Sequence, residues 1–137
     1  MFSSCTQLST VDLSSFKTEN VINMAYMFYS CVGLVSLDLS NFRIDSVKNT
    51  SHMFSFNSKL ENLDITNFNT KSLEDMNHMF SSCSKLTSLD LVEFNTENVI
   101  DMSYLFSSCD EILSLNLNKF NTRKVTNMDS MFSYCSK

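Results

Sequence analysis

Residues 79–94 read "MFSSCSKLTSLDLVEF", Met79 to Phe94. Two spacings meet in this stretch. Leu86, Leu89 and Leu91 flank polar residues in "SLDL", where apolar and polar side chains alternate with the period of a half-buried strand. Twenty-six residues earlier stands "MFSFNSKLENLDITNF" (Met53–Phe68), and twenty-six before that "MFYSCVGLVSLDLSNF" (Met27–Phe42). The Met-Phe pair recurs at Met1, Met27, Met53, Met79 and Met131, with Leu105-Phe106 as a near copy. The register never slips.

Other columns keep the same step. Phe16, Phe42, Phe68, Phe94 and Phe120 form one, and Leu13, Leu39, Ile65, Leu91 and Leu117 another. Val21, Val47, Leu73, Val99 and Val125 form a third. Downstream of each strand pattern the spacing changes: Val99, Met102, Leu105 and Phe106 fall at i, i+3, i+6 and i+7, one face of a short helix or of 3₁₀ turns. A unit this short cannot enclose its own apolar face, whereas stacked units cover one another. The pattern predicts an α/β solenoid with one short parallel strand and a short helical return per turn, strands ~4.8 Å apart. Residues 1–137 read as a single array of about five units. Neither end carries a polar cap, so the reading is a segment of a longer array.

Composition narrows the function classes. A net charge of −5 disfavours binding to nucleic-acid phosphates or to anionic membrane surfaces. No apolar run approaches the ~18 residues that span a bilayer, so no membrane insertion is expected. The opening "MFSSCTQLST" has neither the basic nor the apolar segment of a signal peptide. With no proline and one glycine, Gly33, turns fall to Asn, Asp and Ser.

The L-x-x-L-x-L pattern with its short return resembles leucine-rich repeats. The "MFSSC" segment running into "CSKLTSLDLVEF", an aromatic followed by x-x-Cys before the next leucine, is similar to the BspA-like branch of bacterial and protist surface proteins. Phe stands where many leucine-rich repeats place Asn, in keeping with that branch. The resemblance spans the whole chain. It implies a right-handed superhelix, a cell-surface or extracellular location and a role in adhesion, and it implies no catalytic residue.

Four columns could carry chemistry. Cys5, Cys31, Cys83, Cys109 and Cys135 share one, with Asn57 in the remaining unit. Their spacing matches no zinc motif. Stacked thiols lie within disulfide reach, but parallel Cβ vectors suit a bridge poorly, so a ladder of buried free thiols is the plainer reading. Asp12, Asp38, Asp64, Asp90 and Asn116 form an outward stripe. It reads either as a site for cations or basic partners, or as carboxylates accepting local bonds from Ser14, Ser40 and Thr66. His52 and His78 share a column with Tyr26, Tyr104 and Ser130. As a pair they would grip a transition metal weakly, needing Asp or Cys to complete the site; an exposed polar position is the simpler reading. The Phe columns are core, expected as edge-to-face stacks. Tyr26, Tyr29, Tyr104 and Tyr134 lie off the apolar columns and suit partner contact.

No Ser-His-Asp set or glycine-rich phosphate loop can be assembled, so the chain reads as a non-enzyme that needs no cofactor. One glycosylation sequon, Asn49-Thr50-Ser51, is present. The binding reading places a protein or glycan ligand on the sheet face, across Ser36, Asp38, Ser40, Asn62, Asp64, Thr66, Ser88 and Asp90. The structural reading is a spacer, or a filament subunit that self-associates head to tail through its apolar ends.

Overall fold

The computed structural model describes residues 1–137. Parallel bridges run in one line from Asn23 to Asn49, Asp75, Asp101 and Asn127. Each residue therefore lies beside its equivalent one repeat later. This is a solenoid.

The expected secondary structure is corrected on two points. Regular strand forms in only two turns, β1 (Ser36–Asp38) and β2 (Asn62–Asp64). They pair in parallel with Ser36 opposite Asn62, Leu37 opposite Leu63 and Asp38 opposite Asp64. The other units carry the same leucines and bury Leu13, Leu89 and Leu91, but form no regular strand there.

The helical return is the second correction, because the chain contains no helix. The amides of Met24, Tyr26, Phe28 and Ser30 donate to the carbonyls of Asn49, Ser51, Met53 and Ser55 in the next turn, at 2.9, 3.0, 3.0 and 2.8 Å. The same four bonds recur from Thr50, Met76 and Met102 onward. A helix would need those amides for carbonyls four residues back. The amides between them close tight turns instead, Met27 to the Met24 carbonyl and Tyr29 to that of Tyr26. Each such segment holds two left-handed residues, such as Tyr26 (φ 58°) and Ser30 (φ 55°), or His78 (54°) and Ser82 (60°). In the turn closed by Met24 and Met27, Tyr26 takes the third place, where glycine or asparagine is usual for positive φ. Left-handed backbone in a residue with a Cβ costs about 1–2 kcal/mol. Four inter-turn hydrogen bonds per segment offset that strain.

A third link joins the turns through buried threonine. Thr70 Oγ1 accepts the Asn95 amide at 2.7 Å and donates to the Asn95 carbonyl at 2.8 Å. Thr18 does the same with Arg43, and Thr96 with Asn121. Ile44 occupies this column in the second unit and has no hydroxyl to offer. At Gly33 a Cβ would sit 2.8 Å from the Leu8 carbonyl oxygen and 2.9 Å from that of Thr6, so the approach of the first two turns requires glycine there.

The core is a set of columns running along the axis. Phe2, Phe28, Phe54, Phe80, Phe106 and Phe132 stack with centroids 5.4–6.0 Å apart and planes within 13° of parallel. The edge-to-face expectation fails for a geometric reason. A repeat without insertions carries each ring along the axis almost unrotated, so successive planes stay parallel and offset. Such stacks add about 0.5–1.5 kcal/mol per pair beyond burial.

Candidate functional site

All eight predicted sheet-face residues, Ser36, Asp38, Ser40, Asn62, Asp64, Thr66, Ser88 and Asp90, are exposed. Alternation places them there: Leu37, Leu39, Ile65 and Leu89 are buried between them, and Leu63 is half-buried. The carboxylates are engaged locally. Asp12, Asp38, Asp64 and Asp90 accept the amides of Ser14, Ser40, Thr66 and Val92 at 2.9–3.1 Å, and Thr66 Oγ1 adds a 2.8 Å bond to Asp64. Asn116 accepts the Asn118 amide in the same way. Hydrogen bonds from Ser40, hydroxyl and amide, hold Asp38 below the usual carboxylate range, and those from Ser14 do so for Asp12. Each Asp thus fixes the corner that follows its strand position. No three His, Cys, Asp or Glu side chains are grouped to hold a metal.

The sheet face continues into a concavity of about 740 Å³ at that corner, bordered by Thr66, Asn67, Asn69, Glu93, Asn95 and Asn121. The Oδ1 atoms of Asn95 and Asn121 accept the amides of Glu97 and Arg123. Their Nδ2 groups make no bond within the protein and are left to donate outward. This asparagine column was visible in "FNT" at 68–70, 94–96 and 120–122, but it lies outside the alternating strand pattern and so escaped notice as a lining.

The cysteine column is a structural device. The thiols of Cys31, Cys83, Cys109 and Cys135 donate to the carbonyls of Phe2, Phe54, Phe80 and Phe106 in the preceding turn, at 2.9–3.2 Å. Asn57 replaces a thiol with an amide that reaches the Phe28 carbonyl at 2.8 Å. Its Oδ1 is the one buried side-chain oxygen or nitrogen without a partner. All five cysteines are free. Burial pushes the Cys109 thiol up to about 12 and raises Cys83 and Cys31 as well, which suppresses the reactive thiolate.

On another side of the solenoid, Tyr26, His52, His78 and Tyr104 form a continuous ring stack with centroids 4.6, 4.3 and 4.5 Å apart. Tyr29 and Phe56 pack beside it. Sequence reasoning treated these tyrosines as contact residues and the histidines as exposed polar positions. The shared column was the signal that all four would stack. Tyr134 is also exposed, in the last turn. The sequon residue Asn49 is half-buried, with Oδ1 accepting the Ser51 amide at 2.7 Å and Nδ2 3.4 Å from Asp75 Oδ2.

This architecture has solved counterparts. A leucine-rich repeat protein of T. pallidum, TpLRR, aligns with a TM-score of 0.51 at 22% identity, over 81% of this chain and 46% of that one. One from Eubacterium ventriosum aligns with a TM-score of 0.55 at 18% identity, over 88% of this chain and 30% of that one. The chain therefore spans less than half the length of either, and the likeness establishes a leucine-rich-repeat type of fold. No curated protein matches its sequence. No helix is long and apolar enough to cross a membrane. The family described as "Mycoplasma protein of unknown function, DUF285" matches residues 1–88 and again 55–137, so the chain belongs to the DUF285 family.

Proposed function

We propose that this chain is a non-enzymatic, surface-displayed repeat module of the BspA-like kind that binds a protein or glycan ligand across several turns. The observation that carries the reading is the exposed polar row of Ser36, Asn62 and Ser88, on the same face as Thr66, which borders the asparagine-lined concavity. With the neighbouring carboxylates already committed to their own backbone, hydroxyls and amides remain as the groups that recognise a ligand, through many weak, repeated hydrogen bonds. The test is binding of the chain to a glycan array and to host-cell surface protein, with a Ser36→Arg, Asn62→Arg, Ser88→Arg variant as comparison. Loss of binding with an unchanged melting temperature supports the face; undiminished binding by the variant refutes it. Surface labelling of intact source cells with antibody checks the location.

A second reading, a spacer or an end-to-end filament subunit, is favoured by the in-register parallel pairing that runs from turn to turn through Asn23, Asn49, Asp75, Asp101 and Asn127. A second copy stacked in the same register would extend that line as an open assembly. Light scattering decides: growth of particle size with concentration supports stacking, and a monomer at high concentration excludes it.

A further inference from the structure

The concavity at the corner of the sheet face is built from equivalent positions in successive turns. Asn69, Asn95 and Asn121 stand one repeat apart, and Asn67, Glu93 and Lys119 form a second column beside them. Neighbouring turns are ~4.8 Å apart at the strand spacing. The volume of about 740 Å³ falls within the ~300–1,000 Å³ of ligand sites.

What each side chain can offer a ligand depends on its neighbour in the preceding turn. Asn69 Nδ2 donates to Asp45 Oδ1, and Asn67 Nδ2 to the Ser40 carbonyl, both at 2.8 Å, so these donors are spent. At Asn95 the residue equivalent to Asp45 is Lys71, whose side chain has no acceptor. At Asn121 it is Glu97, and no bond forms. The Oδ1 atoms of Asn95 and Asn121 are held by the Glu97 and Arg123 amides at 2.9 and 3.1 Å. Held the same way, the two free Nδ2 donors repeat one turn apart. The ion pairs of the chain lie elsewhere, at Glu74 and Glu111, so the Glu93 and Glu97 carboxylates stay open as acceptors. Val92, exposed, adds an apolar contact.

We infer that this concavity binds a neutral oligosaccharide laid along the solenoid axis, about one sugar per turn. The inference rests on the binding role proposed above and names its ligand class. A sugar hydroxyl both donates and accepts, and the lining supplies amide donors and carboxylate acceptors side by side. An extended glycan repeats its hydroxyls at an interval close to the ~4.8 Å between turns, so the same bonds recur from one turn to the next. Glu93 and Glu97 outnumber Lys119 in a chain of net charge −5, which disfavours sialylated, sulfated or uronate-bearing chains. The lining also disfavours a protein partner. Interface cores are rich in aromatic side chains and poor in charge, and the one ring here, Phe94, is buried.

The test is an array of neutral, sialylated and sulfated oligosaccharides, from disaccharide to hexasaccharide, with calorimetry on the tightest neutral binder. Affinity should rise with length and level off once the glycan spans the lined turns. Asn95→Asp and Asn121→Asp keep the oxygen that holds the backbone amide and remove the donor. Each should weaken binding about two- to tenfold, the worth of one neutral hydrogen bond, at an unchanged melting temperature. Asn118→Asp adds the same charge one residue before Lys119, outside the lining, and should leave binding unchanged. No neutral glycan bound, a preference for the acidic ones, undiminished binding by both donor variants, or an equal loss in Asn118→Asp overturns the proposal. If a cell-surface protein binds instead and the donor variants weaken it, the ligand class falls and the binding role stands. If neither glycan nor protein binds, both fall.

Discussion

The turn-rich segment of each unit, such as Thr50–Phe56, and the strand segment around Leu37 and Leu63 occupy opposite ends of one pattern. In the first, four backbone amides per unit bond to the next turn, unit after unit. In the second, a parallel ladder forms once, between β1 and β2; of the bonds flanking it, Leu39 N–H to the Asp64 carbonyl and Asn62 N–H to that of Val35 are long at 3.3 Å, and only Glu61 N–H to the Val35 carbonyl is short, at 2.9 Å. Yet the strand segment has the recognisable strand sequence and the other does not. Alternation reports which side chains are buried. It does not report which amides are spent between turns, and here the turn-rich segment, with its left-handed residues, spends most of them.

That contrast predicts where truncation hurts most. Phe54 is fully buried and stacked on Phe28 and Phe80, so Phe54→Ala should cost about 3–5 kcal/mol in urea unfolding. Leu63, in β2, is only half-buried, and Leu63→Ala should cost clearly less. Equal costs would break the distinction between the two regions.

A smaller effect tests the cysteine column. The stranded Asn57 Oδ1 carries a desolvation penalty of about 1–3 kcal/mol. Asn57→Cys restores the thiol-to-carbonyl bond seen at Cys31, Cys83 and Cys109, and should raise stability by part of that sum. Smaller again is the gain expected for Ser82→Gly. Ser82 sits at φ 60°, its amide bonded to the Ser107 carbonyl at 2.7 Å. Removing the Cβ should release up to about 1 kcal/mol of left-handed strain. A loss in thermal unfolding would show that the turn imposes no such strain.

Legibility in the sequence followed the same division. The repeat length, the buried columns, the parallel register and the exposed face of Ser36, Asn62 and Ser88 all follow from side-chain periodicity, which the chain displays openly. The local bonding of Asp38 and Asp64 was also readable, because Ser40 and Thr66 stand two residues on. The missing helix was not. Positive φ at Tyr26, His52 and His78 has no residue-type signature, since glycine and asparagine, the usual markers, are absent from those positions. Phe56 likewise adopts it with its amide spent on the Ser81 carbonyl of the next turn. The parallel rings follow from translation along the axis, a consequence of the fold rather than of any one unit. The asparagine-bordered concavity needed three dimensions, since its lining comes from successive turns.

The weakest expected effect concerns pH and the half-exposed histidines. Burial lowers the pKa of His52 and His78 below the ordinary 6.5, with the neighbouring His78 charge adding to the effect on His52. The Asp75 and Asp101 carboxylates oppose the shift without reversing it. Between the lowered folded values and 6.5, the unfolded chain binds more protons than the folded one, so stability rises with pH across that window. The contribution is complete above 6.5 and fades as pH falls through the folded values. Asp12, Asp38 and Glu111 are lowered too, but their loss on acidification begins below the ordinary carboxylate values of 3.8 and 4.5, a separate and more acidic window. Urea midpoints of the wild type should therefore decline from neutral pH into the range just below 6.5. A His52→Phe, His78→Phe variant, which keeps the rings and removes the protons, should hold a level midpoint until the carboxylates begin to titrate. A decline of equal slope in the variant would assign the dependence to groups outside the ring stack.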